Sequence, residues 1–244
     1  MMRRLMLGLA MLAAAMPAGA IAKDDKLEKR SLPITDTAFD AIRAGQPQRA
    51  LDLVEPVIAD FEKEYAGRRR IYCAETLQES GRYMVAPGSD GGSGQLPSDP
   101  AKQESGAYVI MGSVWCKAQY VRAFALVDLR RLDDAQAGFE RLIQFAPQRS
   151  RYLNELAYVL LQKRQWQASI DVYNRANAAA DLLEPADRDS ERCVALRGVG
   201  YDLVELGRLD DAEAAYRKCL AITPNEPKSL GEIEYINEQR KKTT

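Results

Sequence analysis

Apolar residues recur along Cys193–Glu226 at spacings of three and four. Leu196, Val199, Leu203 and Leu206 form one stripe, and Ala212, Tyr216, Cys219 and Leu220 form a second. Such spacing puts each set on one face of a helix. Between them, Gly207 tolerates the left-handed conformation that stops a helix. Asp210 and Asp211 follow, where carboxylates cap the next helix and complement its positive end. Pro224 marks the exit. The pattern predicts two antiparallel amphipathic helices of about 12–14 residues, a length that is marginal alone in water. Gly200 and Ala212 are small where the helices should cross most closely, so a larger residue at Ala212 should cost roughly 1–3 kcal/mol.

The arrangement recurs upstream. In Cys116–Arg149 it is carried by Ala123, Leu126, Leu132, Ala135, Phe139, Leu142 and Pro147. In Ser150–Leu183 it is carried by Leu156, Ala157, Leu160, Trp166, Ser169, Tyr173 and Ala176, one 34-residue period later. The copy at Cys193 starts after Glu184–Arg192, a charged loop or helix extension. A lone hairpin cannot bury its apolar face, so copies should stack.

Over Cys116–Glu226 this pattern resembles the tetratricopeptide repeat family, whose 34-residue units are helix pairs with small and aromatic residues at fixed places. The chain departs from the family at Arg130 and Arg164, where a turn glycine is usual, and at Asp181, where proline is usual. Those departures leave the helix ends open. The resemblance implies an all-α, right-handed superhelical solenoid of antiparallel helix pairs. Pro227–Arg240, with Leu230, Ile233 and Ile236 on one side, reads as the helix that caps its open end.

Four regions follow from this reading: a leader at 1–22, an N-terminal helical unit at 23–82, a linker at 83–106 and the repeat domain at 107–244. Within the repeat domain the copies fall at 116–149, 150–183 and 193–226, with the capping helix at 227–240. In the N-terminal unit, Lys23–Leu32 is charged and reads as a loose tail. Thr35–Glu64 reads as a degenerate first repeat, with Gly45 and Ala50 standing where Gly207 and Ala212 stand later, and Pro56 should kink its second helix. Arg68–Ser80 reads as a short helix with a solvated arginine run. The linker is dense in Gly, Ser, Pro and Asp and has little to bury. Ala107–Trp115 is more apolar and fits either an extended segment or a first helical turn.

At its start the chain carries Arg3 and Arg4, an apolar run from Leu5 to Met16 and small residues around Ala18–Ala22. That is the order of a cleaved export signal, so the expected compartment is the periplasm or the outside. A retained membrane anchor is the rival, weakened by Gly8, Pro17 and the alanine content. Removing the leader takes Arg3 and Arg4 and leaves 32 basic against 35 acidic residues. With no basic excess, nucleic acid is not the expected partner. The composition, 46% hydrophobic and 28% charged, suits a globular domain.

The chain has no histidine, which removes Ser-His-Asp and Cys-His nucleophiles and the commonest metal ligand. No phosphate-binding, zinc-peptidase or Cys-x-x-Cys motif is present. Asp133-Asp134 and Asp210-Asp211 occupy the same repeat position at a helix start, so capping accounts for both. No catalytic residue, metal or cofactor is expected. The four cysteines invite two disulfides in an exported chain. Cys193 and Cys219 face each other across their hairpin, although Cys219 also fits as a small core residue. Cys73 with Cys116 would tie the N-terminal unit to the stack.

In the tetratricopeptide family the first helix of each repeat lines a concave groove. Carried onto this chain, those positions are Lys117, Tyr120 and Phe124 in the first copy. They are Arg151, Asn154 and Tyr158 in the second, and Val194, Arg197 and Tyr201 in the third. The rings suit a binding surface or packing between hairpins. The expected function is a non-catalytic scaffold in the bacterial envelope that binds a protein or peptide there. The alternatives are an accessory subunit of an envelope enzyme or secretion complex, and a self-associating structural protein.

Overall fold

The computed structural model describes residues 25–66, 71–85 and 108–243. Its first hairpin is α1 (Asp25–Arg43) and α2 (Pro47–Glu64), followed by β1 (Ile71–Ala74), α3 (Leu77–Val85) and β2 (Tyr108–Met111). Three more hairpins follow: α4 (Val114–Asp128) with α5 (Leu132–Phe145), α6 (Ser150–Gln162) with α7 (Trp166–Ala179), and α8 (Pro185–Glu205) with α9 (Leu209–Ile222). A 3-10 turn at Ala180–Leu182 links α7 to α8, and α10 (Pro227–Thr243) packs on α9 and ends the stack. The expected all-α solenoid is therefore present, with one small two-stranded parallel sheet added to it.

All four hairpins turn in the same way. Gly45, Arg130, Arg164 and Gly207 have φ of 67°, 59°, 58° and 73°. In each case the left-handed residue donates its N–H to the carbonyl three back, and the next N–H reaches five back: Arg164 to Leu161 and Gln165 to Leu160, for example. The two arginines thus take the conformation that glycine adopts at little cost, and the helix ends left open by the sequence fall in register. The paired aspartates lie in the first turns of α5 and α9 without making a side-chain cap hydrogen bond. Asp134 and Asp211 instead pair with Arg131 at 2.8 Å and Arg208 at 2.7 Å, so they act through the helix dipole and local ion pairs.

Small residues let the hairpins approach. Ala123, Ala135, Ala157, Ala176, Ala195 and Ala212 are completely buried. On α8 the glycines are obligatory, because a Cβ on Gly198 would lie 2.2 Å from the Tyr173 ring and one on Gly200 2.6 Å from the Tyr216 ring. The glycines turn α8 into a flat surface on which two rings from α7 and α9 rest. One core runs from α1 to Ala195 on α8, a second, around Leu203, Tyr216 and Ile236, closes the C-terminal end, and Ala74 and Tyr83 form a small third one at β1 and α3.

The N-terminal half departs from expectation in three places. The supposed tail is helical from Asp25, because Leu27 and Ser31 are buried and the Glu28 carboxylate accepts the Val114 N–H at 3.0 Å. The helix expected over Arg68–Ser80 is instead strand Ile71–Ala74 followed by α3, since Ile71, Tyr72 and Cys73 pair in parallel with β2. Ala107–Trp115 resolves into both readings left open: strand to Met111, then helix from Val114, with Ser113 Oγ accepting the Trp115 N–H at 3.1 Å. Helix α2 continues through Pro56, which is exposed. Glu184–Arg192 is a helix extension that lengthens α8 to 21 residues. The leader at 1–22 and most of the linker at 83–106 lie outside the described residues; Tyr83–Val85 belong to α3.

Because α2 and α1 pack directly on α4, the first hairpin stacks as a repeat, and β1, α3 and β2 form an insertion between two repeats. Cys73 and Cys116 form a disulfide across that junction, and Cys193 and Cys219 form a second between α8 and α9.

Candidate functional site

The first helices α4, α6 and α8 carry the predicted groove residues at three- and four-residue spacing, so each trio shares a helix face. Two adjoining cavities lie along them. The first, about 480 Å³, opens between α1, α3, α4, the start of α6 and the start of α8. Lys117, Tyr120 and Arg151 line it. The second, about 560 Å³, is lined by Phe124, Arg151, Asn154, Tyr158 and Val194. Arg197 and Tyr201 line neither; Arg197 pairs with Glu226 at 3.7 Å, and the Tyr201 ring sits 6.4 Å from that of Trp166. The structure thus gathers six of the eight predicted residues with Val194, and leaves the third repeat's pair further along.

Arg151 and Glu191 line both cavities, with Nε of Arg151 3.2 Å from the Glu191 carboxylate. Asn154 fixes the same carboxylate, donating from Nδ2 to Glu191 Oε2 at 2.7 Å and to its backbone oxygen at 3.1 Å. Tyr120 Oη donates to Glu155 Oε1 at 2.8 Å, and the Tyr120 ring stacks on Tyr152 at 5.6 Å and on Phe39 at 6.2 Å. That ring is packing, with its hydroxyl satisfied. Tyr158 and Tyr201 are different, at 42% and 41% exposed.

Burial pushes the Glu155 carboxyl up, and the charges of Glu191 and Asp128 push the same way against the Tyr120 hydrogen bond and the charge of Arg151. Asp128 is also raised by burial. At the other end, Arg149 lies between β1, α3 and α6. It binds Glu79 at 2.6 Å, Glu75 and the Cys73 carbonyl oxygen at 3.3 Å. Tyr83 Oη donates to Glu79 at 2.8 Å. Burial acts to raise the Glu79 carboxyl, but its hydrogen bond and charge contact with Arg149 outweigh it and hold the carboxyl low.

Glu155, Glu191, Asp128 and the Arg149–Glu79 pair escaped the sequence reading. Glu155 lies one residue beyond Asn154 on the exposed stripe of α6, a position the helix period itself marks. Glu191 gave no such signal, because it lies in a charged insert. Among the described residues no group of three or more acidic or cysteine side chains could hold a metal ion, and no helix is long and apolar enough to cross a membrane.

The tetratricopeptide repeat model matches residues 200–226. No curated protein sequence matches the chain. Among solved structures, MamA from Desulfovibrio magneticus RS-1, residues 41 to the end, is 14% identical with a TM-score of 0.54. The alignment covers 91% of this chain and 88% of that one. A MamA RS-1 double mutant is 15% identical with a TM-score of 0.53 over the same shares. A kinesin light chain protein of Podosopora anserina with nearly identical TPR-like repeats is 17% identical, with a TM-score of 0.56, covering 88% of this chain and 90% of that one. At such identities the likeness speaks for the fold. The repeat model at 200–226 and these structural likenesses together show a solenoid fold of tetratricopeptide-like helix pairs.

Proposed function

We propose that the protein is a non-catalytic interaction scaffold of the bacterial envelope that holds a segment of a partner protein along α4, α6 and α8. The observation that carries this reading is the pair of adjoining cavities with exposed Tyr158 at the edge of one and exposed Tyr201 beyond it. Exposed aromatic rings beside fixed hydrogen-bonding groups are the usual anchors of protein recognition. Helices held by stacked neighbours present those groups preformed, which lowers the ordering cost of binding. The envelope part rests on the charged, apolar and small-residue order of 1–22 and on two disulfides, which persist in oxidising compartments.

The test is a chemical cross-linking capture from the native envelope, run with the protein and with an Asn154→Ala, Tyr158→Ala, Arg197→Ala variant. One protein captured by the first and lost with the second supports the groove. Equal capture by both, or none, moves the functional surface elsewhere.

A further inference from the structure

The second cavity has a chemical polarity of its own. Three carboxylates line it, those of Asp128, Glu155 and Glu191. Glu191 pairs with Arg151 at 3.2 Å, and the charge of Arg151 also reaches Glu155. Glu155 receives the neutral hydroxyl of Tyr120, and among the described residues neither it nor Asp128 forms an ion pair. In Glu155, burial and the charges of Glu191 and Asp128 raise the carboxyl against the Tyr120 hydrogen bond and the Arg151 charge. Arg130, also in the lining, is engaged with Gln162 Oε1 at 2.7 Å.

Asn154 points the same way. It is 5% exposed, its amide hydrogens are spent on Glu191, and its Oδ1 has no hydrogen-bond partner. A buried acceptor left unpaired costs free energy that an incoming donor recovers. Phe124 and Tyr158 line the same space, and an aromatic face attracts a cation. Three carboxylates face two guanidiniums, so the lining keeps one negative charge in excess, beside the rings of Phe124 and Tyr158 and an unpaired acceptor.

We propose that this cavity receives a basic side chain, lysine or arginine, from an extended segment of the partner protein. The proposal rests on the groove reading above and names the chemistry of its occupant. An acidic segment would meet like charge there. A purely apolar one would desolvate Glu155 without replacing the lost water contacts.

The test uses the full chain with both disulfides formed and three capped alanine pentapeptides with a central lysine, norleucine or glutamate. Amide and side-chain shifts are followed by NMR during titration. The expected result is binding of the lysine peptide roughly tenfold tighter than the norleucine peptide, the order of one charge-assisted hydrogen bond. Its shifts should cluster at residues 124–130, 151–158 and 191–194, and the preference should shrink with added salt. In Glu155→Gln, which keeps an acceptor for Tyr120, the preference should fall toward parity while the helical circular dichroism is unchanged. Equal binding of all three peptides at those residues, or preference for glutamate, overturns the basic occupant and leaves the groove standing. Shifts confined to other surfaces, or no binding by any peptide, overturn both.

Discussion

Where α8 meets its neighbours, two glycines let the rings of Tyr173 and Tyr216 lie against the helix. Where β1 and α3 meet the stack, the join is a guanidinium, two carboxylates and a disulfide. The repeats can rely on shape because each buries an apolar face on the next. The insertion offers the main core little more than Cys73 and the partly buried Ile71. It is held by groups whose burial is favourable only when each finds its partner, so its attachment is specific and brittle where the stack is redundant.

Six variants test this contrast. Arg149→Ala should be the most costly, about 3–5 kcal/mol, because it strands the buried Glu79 carboxylate. Hydrogen exchange should show the loss in 71–85 while α8 and α9 stay protected; uniform loss would mean the insertion is integral to the stack. Cys73→Ser with Cys116→Ser opens a closure of 43 residues in sequence, worth about 4 kcal/mol as an upper figure. Urea unfolding should again locate that loss in the insertion.

Asp202 is a polar weakness inside the stack. It is fully buried on α8, and neither carboxylate oxygen has a hydrogen-bond partner. The nearby Ser169 hydroxyl is given to the Ala157 carbonyl at 2.9 Å. Burial, with the charge of Glu205 adding to it, outweighs the nearby Ser169 hydroxyl and pushes the Asp202 carboxyl up to about 7. An unfolded chain loses that proton near pH 4. The fold therefore binds the extra proton between about pH 4 and pH 7, and stability falls as pH rises through that window, by on the order of 2–4 kcal/mol. Asp202→Asn should flatten this part of the melting profile; an unchanged slope would show that Asp202 does not produce it.

Gly198→Ala drives a methyl into the Tyr173 ring. The overpacking, partly offset by better helix propensity, should cost about 2 kcal/mol, read as a lower urea midpoint. A neutral result would mean that the ring moves freely and that shape does not hold this joint. The smallest effect runs the other way. Arg164→Gly relieves a left-handed arginine at a helix end and should stabilise by about 1 kcal/mol, and Arg130→Gly by a similar amount.

The hairpins were legible because repeat packing writes itself into the sequence twice, as the helical period and as the 34-residue period. Tyr158 and Asn154 could be placed on the groove face by that logic. The insertion could not, because neither Ile71–Ala74 nor Tyr108–Met111 has the length or alternation of a confident strand. Their pairing depends on two segments 37 residues apart. Arg149 follows Pro147 at a repeat boundary, where the pattern marks a turn and gives no hint of a buried cation. Tyr120 lines the first cavity from α4, yet its ring packs against Phe39 and Tyr152, which the repeat pattern does not describe. Glu191 shapes both cavities from an extension that breaks the period.

The most direct measurement is photo-cross-linking in the native envelope from a benzoylphenylalanine placed at Tyr158 on α6 or at Lys218 on the outer helix α9. The groove account predicts one discrete adduct from position 158 and none from position 218. The same adduct from position 218, with position 158 silent, would put the binding surface on the second helices and contradict it.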